Sequence, residues 1–156
     1  MAPENTQSTA KSVNPDEIAH FSSMAETWWD PNGPFKPLHK LNPTRIAFVR
    51  DQICAHFKRD PNEEKPLAGL RILDIGCGKG FMVYDLKKLL PKAKIIGIDI
   101  SKYAVKNSKK EVKHLLKLGN AKKLQFKDNT FDLIISINTL HNLNKKECSM
   151  ALKEIN

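Results

Sequence analysis

Eight residues constrain this chain more than any others: Leu73-Asp74-Ile75-Gly76-Cys77-Gly78-Lys79-Gly80. An apolar run, Leu70–Ile75, leads into them. An amphipathic run, Phe81–Leu90, leaves them and stops at Pro91. The order reads strand, glycine turn, helix. Glycines at such a corner allow positive φ and let backbone approach a ligand closely, although they could also serve only the turn. A dinucleotide fingerprint needs Gly-x-Gly-x-x-Gly. Counted from Gly76, its third glycine would fall where Phe81 stands. The spacing is instead Asp-x-Gly-x-Gly-x-Gly, which makes an NAD-dependent oxidoreductase the least favoured reading. An acidic residue two places before the first glycine suits a ligand with a cationic end better than a pyrophosphate.

The pattern after the loop alternates. Lys94–Ile98 reads as a strand that Asp99 ends. A carboxylate there can accept hydrogen bonds from both hydroxyls of a ribose, or it can cap the next helix, a task Ser101 can also perform. The next helix is predicted from Ser101 to about Leu116, followed by a short strand, Leu116–Gly119. In Gly119-Asn120-Ala121, the Asn120 amide oxygen can accept from an adenine amino group or hold a turn. A fourth strand is predicted over Phe131–Asn138, with Ile137 near its end facing either ligand or core. Asn144 caps a last helix with Glu147 at its third position. Strands alternating with helices imply βαβ units and a parallel sheet, an α/β fold.

Upstream, residues 1–13 read as a loose tail. Asn14-Pro15-Asp16-Glu17 reads as a helix start, with Ile18, Phe21, Ala25 and Trp28 at helical spacing. Asp30–Pro34 is a turn, and a second helix is predicted to start at Asn42-Pro43. Ile46, Val49, Ile53 and Phe57 would share one face of it. Asp60–Lys65 reads as a linker. This divides the chain into a tail (1–13), an N-terminal helical cap segment (14–69) and a Rossmann-like domain (70–156).

Charge is unevenly placed. Residues 1–78 hold 9 Lys+Arg and 10 Asp+Glu, whereas residues 79–156 hold 17 and 7, and those 17 are all Lys. Lysines spread over every predicted helix, without Arg, suit a solvated surface better than a nucleic-acid face. No specific nucleic-acid partner is therefore expected, although an RNA methyltransferase remains the reading that a basic half would suggest. Cys54, Cys77 and Cys148 lack metal-ligand spacing and read as free thiols in a reducing cytoplasm.

Asp74, the glycine loop and Asp99 together resemble the class I S-adenosylmethionine-dependent methyltransferases, from Leu70 onward. The methionine end of that cofactor carries an ammonium and a sulfonium, which matches the acid before the glycines. A closer resemblance covers residues 17–78: Glu17-Ile18-Ala19-His20-Phe21, Trp28-Trp29-Asp30, and the run Gly33-Pro34-Phe35-Lys36-Pro37-Leu38-His39 continuing to Ile46. These resemble the ubiquinone-biosynthesis O-methyltransferases, which methylate phenolic hydroxyls of polyprenylated quinone precursors. The resemblance implies that Arg45, Gly76, Asp99 and Ile137 are cofactor positions. With Asp74, Gly78 and Asn120, the cofactor set is then Arg45, Asp74, Gly76, Gly78, Asp99, Asn120 and Ile137. Trp28, Trp29 and Phe35 offer flat apolar area for a ring or prenyl tail, or for helix packing. His39 is a possible general base or a loop histidine without a role.

Past Gly78 the closer match is expected to fade. Where that family carries Leu-Glu-His, this chain has Leu140-His141-Asn142. No metal set or catalytic base is assigned. The fading coincides with the charge break, so a join of two methyltransferase sequences near Gly78 is expected. A complete sheet of the class has about seven strands. Four are read here, so an incomplete domain with an open fourth-strand edge is expected, prone to self-association. The function implied is methyl transfer to a phenolic hydroxyl of a ubiquinone precursor. The alternatives are a truncated or chimeric cofactor-binding fragment without activity, or a methyltransferase acting on another small metabolite or RNA. The implied setting is cytoplasmic, with peripheral membrane contact through a prenylated substrate.

Overall fold

A computed structural model of the 156-residue chain describes Thr27 and residues 29–156. The expected tail and the helix start at Asn14 lie outside the described residues, as does Trp28. The elements are α1 (Lys36–His56), β1 (Arg71–Ile75), α2 (Phe81–Leu89), β2 (Lys94–Asp99), α3 (Lys102–Lys106), β3 (Leu116–Leu118), β4 (Leu133–Ile135) and α4 (Lys145–Ile155). All strand pairs are parallel, in the order β3-β2-β1-β4. This is the doubly wound arrangement that alternating strands and helices demand.

β1 is the central strand, and its side chains alternate between two cores. Ile72 joins Ile95 and Ile135 beneath α1 and α2, where Ile46, Ile53, Val83 and Leu86 are buried. Leu73 and Ile75 join Ile98 on the opposite face, against Phe126, Phe131, Ile134 and Ile155. β4 is pinned at its start by a clamp. Asp132 accepts from the Arg71 backbone N–H at 2.8 Å, and its two oxygens take Arg71 Nε (3.0 Å) and Nη2 (2.8 Å). The stretch after α1 is held as well: Arg59 donates to the carbonyls of Pro66 and Ala68, and Leu67 is wholly buried.

Three expected boundaries are corrected. α1 begins at Lys36, not Asn42, with Pro37 in its first turn and Pro43 inside the helix. An interior proline removes one backbone hydrogen bond. Tertiary contacts hold the turn regardless: Asn42 is buried and its amide donates to the Asp85 carboxylate on α2. Phe57, expected on the buried face, follows the helix end and is exposed. The helix expected over 101–116 stops at Lys106. There Asn107 Nδ2 donates to Tyr103 O and Ser108 Oγ to Val105 O, and such local side-chain bonds compete with helix continuation. β4 pairs over three residues only, because Asn138 adopts φ +56° and the chain turns towards the loop of β1. α4 starts as expected, with a reciprocal capping box between Asn144 and Glu147. Among the described residues, no helix is long and apolar enough to cross a membrane.

Candidate functional site

The C-terminal ends of β1, β2 and β4 open into a cavity of about 800 Å³, the place where open parallel sheets bind ligands. Arg45, Asp74, Gly76, Gly78, Asp99, Asn120 and Ile137 all line it. Residues 92 positions apart in sequence thus meet at one wall system, with α1 on one side and the glycine loop on the other.

The loop turns through three left-handed glycines, with φ +77° at Gly76, +55° at Gly78 and +84° at Gly80. At Gly76 a side chain has no room: a Cβ would lie 1.9 Å from Thr139 Oγ1. Thr139 Oγ1 in turn donates to Ile75 O at 3.1 Å, locking the segment after β4 onto the end of β1. The glycine loop is therefore required by the protein's own packing as well as suited to a ligand. Backbone N–H groups of Gly76 and Cys77 both reach Ile98 O, at 2.8 and 3.0 Å, tying the loop to β2.

Two carboxylates anchor the site. Asp99 accepts from the Gly78 N–H at 2.7 Å and the Ser101 N–H at 2.8 Å. Burial raises its pKa, and those two donors oppose the rise. Ser101 Oγ takes the capping role, accepting from Ala104 N at 3.1 Å, so α3 does not need Asp99 as its cap. Asp74 is only 3% exposed, and its Oδ2 has no hydrogen-bond partner. Burial, then the nearby Asp99 charge, push its pKa up to about 7. An orphaned acidic oxygen in a cavity wall is the kind of group a ligand completes.

The other expected residues differ in readiness. Arg45 is half-buried and has no ion-pair partner among the described residues, so its guanidinium can take an anionic group. Asn120 Oδ1 accepts from Lys122 N at 3.0 Å, which is the turn-holding role. Ile137 is half-buried on the wall. His39 does not line the cavity; its ring stands edge-on to Phe81 at 4.8 Å, within an aromatic group that includes Trp29, 4.0 Å from Phe81. Trp29 also meets Tyr84, so it packs the segment before α1 onto α2. Burial pushes the Cys77 thiol far above its usual range, which leaves it uncharged and poorly nucleophilic.

Sequence reasoning missed several wall residues. Lys79 is nearly buried between two glycines, with Nζ 5.8 Å from the Tyr103 ring, and both line the cavity. Thr139 lines it too; His141 and Asn142, which stand where the resemblance places a glutamate and a histidine, also lie on the wall. Position within the glycine loop could have found Lys79. Nothing local marks Thr139, whose role depends on the fold bringing β4 beside β1. Among the described residues no group of three potential metal ligands gathers.

A family model described as a methyltransferase domain matches residues 66–155, more than half of the chain. A ubiquinone biosynthesis O-methyltransferase of Brucella ovis is 49% identical over 96 residues, 62% of this chain and 38% of that protein. A mitochondrial protein of the same name from Arabidopsis thaliana is 49% identical over 92 residues, 59% of this chain and 28% of that one. The chain thus spans well under half the length of these relatives. A match of 96 residues is longer than the stretch before Lys79, so this likeness continues past Gly78 rather than ending at the charge break. Among solved structures, a SAM-dependent methyltransferase from Aquifex aeolicus aligns with a TM-score of 0.54 at 22% identity, covering 92% of this chain and 65% of that one. PKMT2 from Rickettsia typhi, solved in complex with AdoHcy, aligns with a TM-score of 0.50 at 25% identity, over 56% of this chain and 18% of that one. The chain belongs to the methyltransferase-domain family, the S-adenosylmethionine-dependent methyltransferases with a Rossmann-like sheet.

Proposed function

We propose that this cavity holds S-adenosylmethionine and that the protein transfers its methyl group to a phenolic hydroxyl of a ubiquinone precursor. One observation carries the cofactor reading: seven residues chosen from sequence line a single cavity whose wall contains an unsatisfied, buried carboxylate oxygen. The groups present fit the cofactor. Asp74 would face the ammonium of its methionine end, Arg45 the carboxylate, Asp99 the ribose hydroxyls, Asn120 the adenine edge and Ile137 its apolar face. Each Asp99 oxygen takes one backbone N–H and keeps a further lone pair, so it would accept a ribose hydroxyl without releasing either donor. When bound, the cofactor supplies an electrophilic methyl group on a cationic sulfur. The chain's own contribution is to hold that group in line with the acceptor oxygen and keep water out.

The acceptor reading rests on the likeness to the ubiquinone biosynthesis O-methyltransferases. It extends to a cytoplasmic setting, a prenylated substrate that draws the protein to a membrane surface, and self-association along the free edge of β4. Incubating the purified protein with labelled S-adenosylmethionine and catechol-type quinone precursors tests it. Label in the methyl ether supports the reading, and its absence from every phenolic precursor sinks it. A second reading, a cofactor-binding module without this chemistry, is favoured by His141 and Asn142 standing where the resemblance places a glutamate and a histidine. It predicts cofactor binding without label transfer.

A further inference from the structure

We propose that Asp74 is a proton-exchanging specificity residue: it accepts its ligand's ammonium only by releasing a proton, so the cavity binds cation-ended ligands more tightly above neutral pH and ends without a cation equally at any pH. This rests on the reading of the cavity as a cofactor site and adds a condition to it.

The geometry is that of a buried acid, Asp74, beside a half-buried one, Asp99, with no cation paired to either among the described residues. Asp74 and Asp99 belong to adjacent paired strands, with Asp74 opposite Gly97. Asp99 has both oxygens engaged by backbone N–H groups. Asp74 Oδ2 has none, and among the described residues neither acid has an ion-pair partner. An ionised carboxylate in such a place lacks compensation, so without a cationic ligand the neutral acid is favoured. Its pKa of about 7 agrees. In exchange, the Asp74 O–H bond breaks, its proton goes to solvent, and the carboxylate oxygen accepts from the ligand's N–H. The ligand's ammonium then compensates the Asp74 carboxylate.

Other groups face the same space. β2 brings Asp99, the glycine loop brings Cys77 and Lys79, and α1 brings Arg45. Tyr103 comes from α3, Lys122 from the turn after β3 and His141 from the turn after β4. Burial keeps the Cys77 thiol neutral between pH 6 and 8. Asp99 is satisfied by its two donors. His141 is the neighbouring imidazole, and its own variant separates its contribution from that of Asp74.

The test uses S-adenosylhomocysteine, which has the ammonium, and 5′-methylthioadenosine, which lacks it. For the parent chain, the S-adenosylhomocysteine Kd should weaken about tenfold from pH 8 to pH 6, the loss expected for one group titrating near 7. Titration in buffers of different ionisation enthalpy should show close to one proton released at pH 6. Methylthioadenosine should show neither effect. Asp74→Asn should flatten the pH dependence, whereas His141→Gln should leave it intact. Carboxyl carbon NMR of the empty chain reads the premise without any ligand: a midpoint near 7 for Asp74 is expected, and one near 4 overturns the proposal. A pH-independent Kd, or a dependence lost only in His141→Gln, overturns it as well. Absence of S-adenosylhomocysteine binding at every pH instead removes the cofactor reading, and the proposal with it.

Discussion

Two walls of one cavity are made in different ways. The corner formed by β1, the glycine loop and β2 is built from backbone: two loop N–H groups reach Ile98 O, and a third reaches Asp99. The opposite wall is α1, which is held by side chains, with Asn42 bonded to Asp85 and Ile46 and Ile53 sunk in the core beneath. A backbone corner tolerates almost no change at its glycines. A side-chain wall tolerates change by degrees. The corner fixes where a cofactor sits, and α1 supplies the cation, Arg45, that completes it.

The sharpest way to break this contrast is Gly76→Ala. It puts a Cβ into Thr139 Oγ1 at positive φ. A loss above about 3 kcal/mol is expected, from strain and overlap together, and chemical denaturation would measure it. Asp74→Asn should act oppositely on the empty chain. The folded pKa of Asp74 is raised, so its stabilising contribution is full below about pH 4 and disappears as pH rises through about 7. The amide variant should therefore exceed the parent in stability at pH 8, by up to about 4 kcal/mol, while binding cation-ended ligands less well. Thermal melts at pH 4, pH 5 and pH 8 should show the gain growing with pH, smallest at pH 4 and largest at pH 8. On the α1 wall, Asn42→Ala should cost about 1–3 kcal/mol, since it empties a buried position and leaves the Asp85 carboxylate without this donor. Hydrogen exchange should speed in α1 first. Asn144→Ala, one residue beyond the cavity-lining Leu143, should have the smallest effect, about 1 kcal/mol through the lost cap of α4, measured by chemical denaturation.

The same contrast explains what could be read in the sequence. The corner is local: Asp74, three glycines and Asp99 lie within 26 residues, and each has a backbone reason to be there. Strand–loop–helix order, the parallel sheet and the seven cavity residues from Arg45 to Ile137 are legible for that reason or through family likeness. α1 was misplaced at its start because Asn42-Pro43 has the local look of a helix cap, while its actual state is set by Asp85, 43 positions away. The apolar spacing continues through Val112 and Leu115, which suggests a longer α3, but these two pack from a separate 3-10 turn over Lys113–Leu115 and its cap. Thr139 and the Arg71–Asp132 clamp were invisible because both need β4 already laid beside β1. Lysine in a glycine loop has the local look of surface, yet Lys79 is only 4% exposed.

The most direct test of the central claim is calorimetric titration of the chain with S-adenosylhomocysteine at pH 8, beside an Asp99→Ala variant whose fold is verified by circular dichroism. The account predicts one binding site in the parent and a loss of at least tenfold in affinity in the variant, about 1.4 kcal/mol or more, because a ribose would lose its acceptor. A folded parent chain that does not bind, or a variant that binds as tightly as the parent, would contradict the assignment of this cavity to the cofactor.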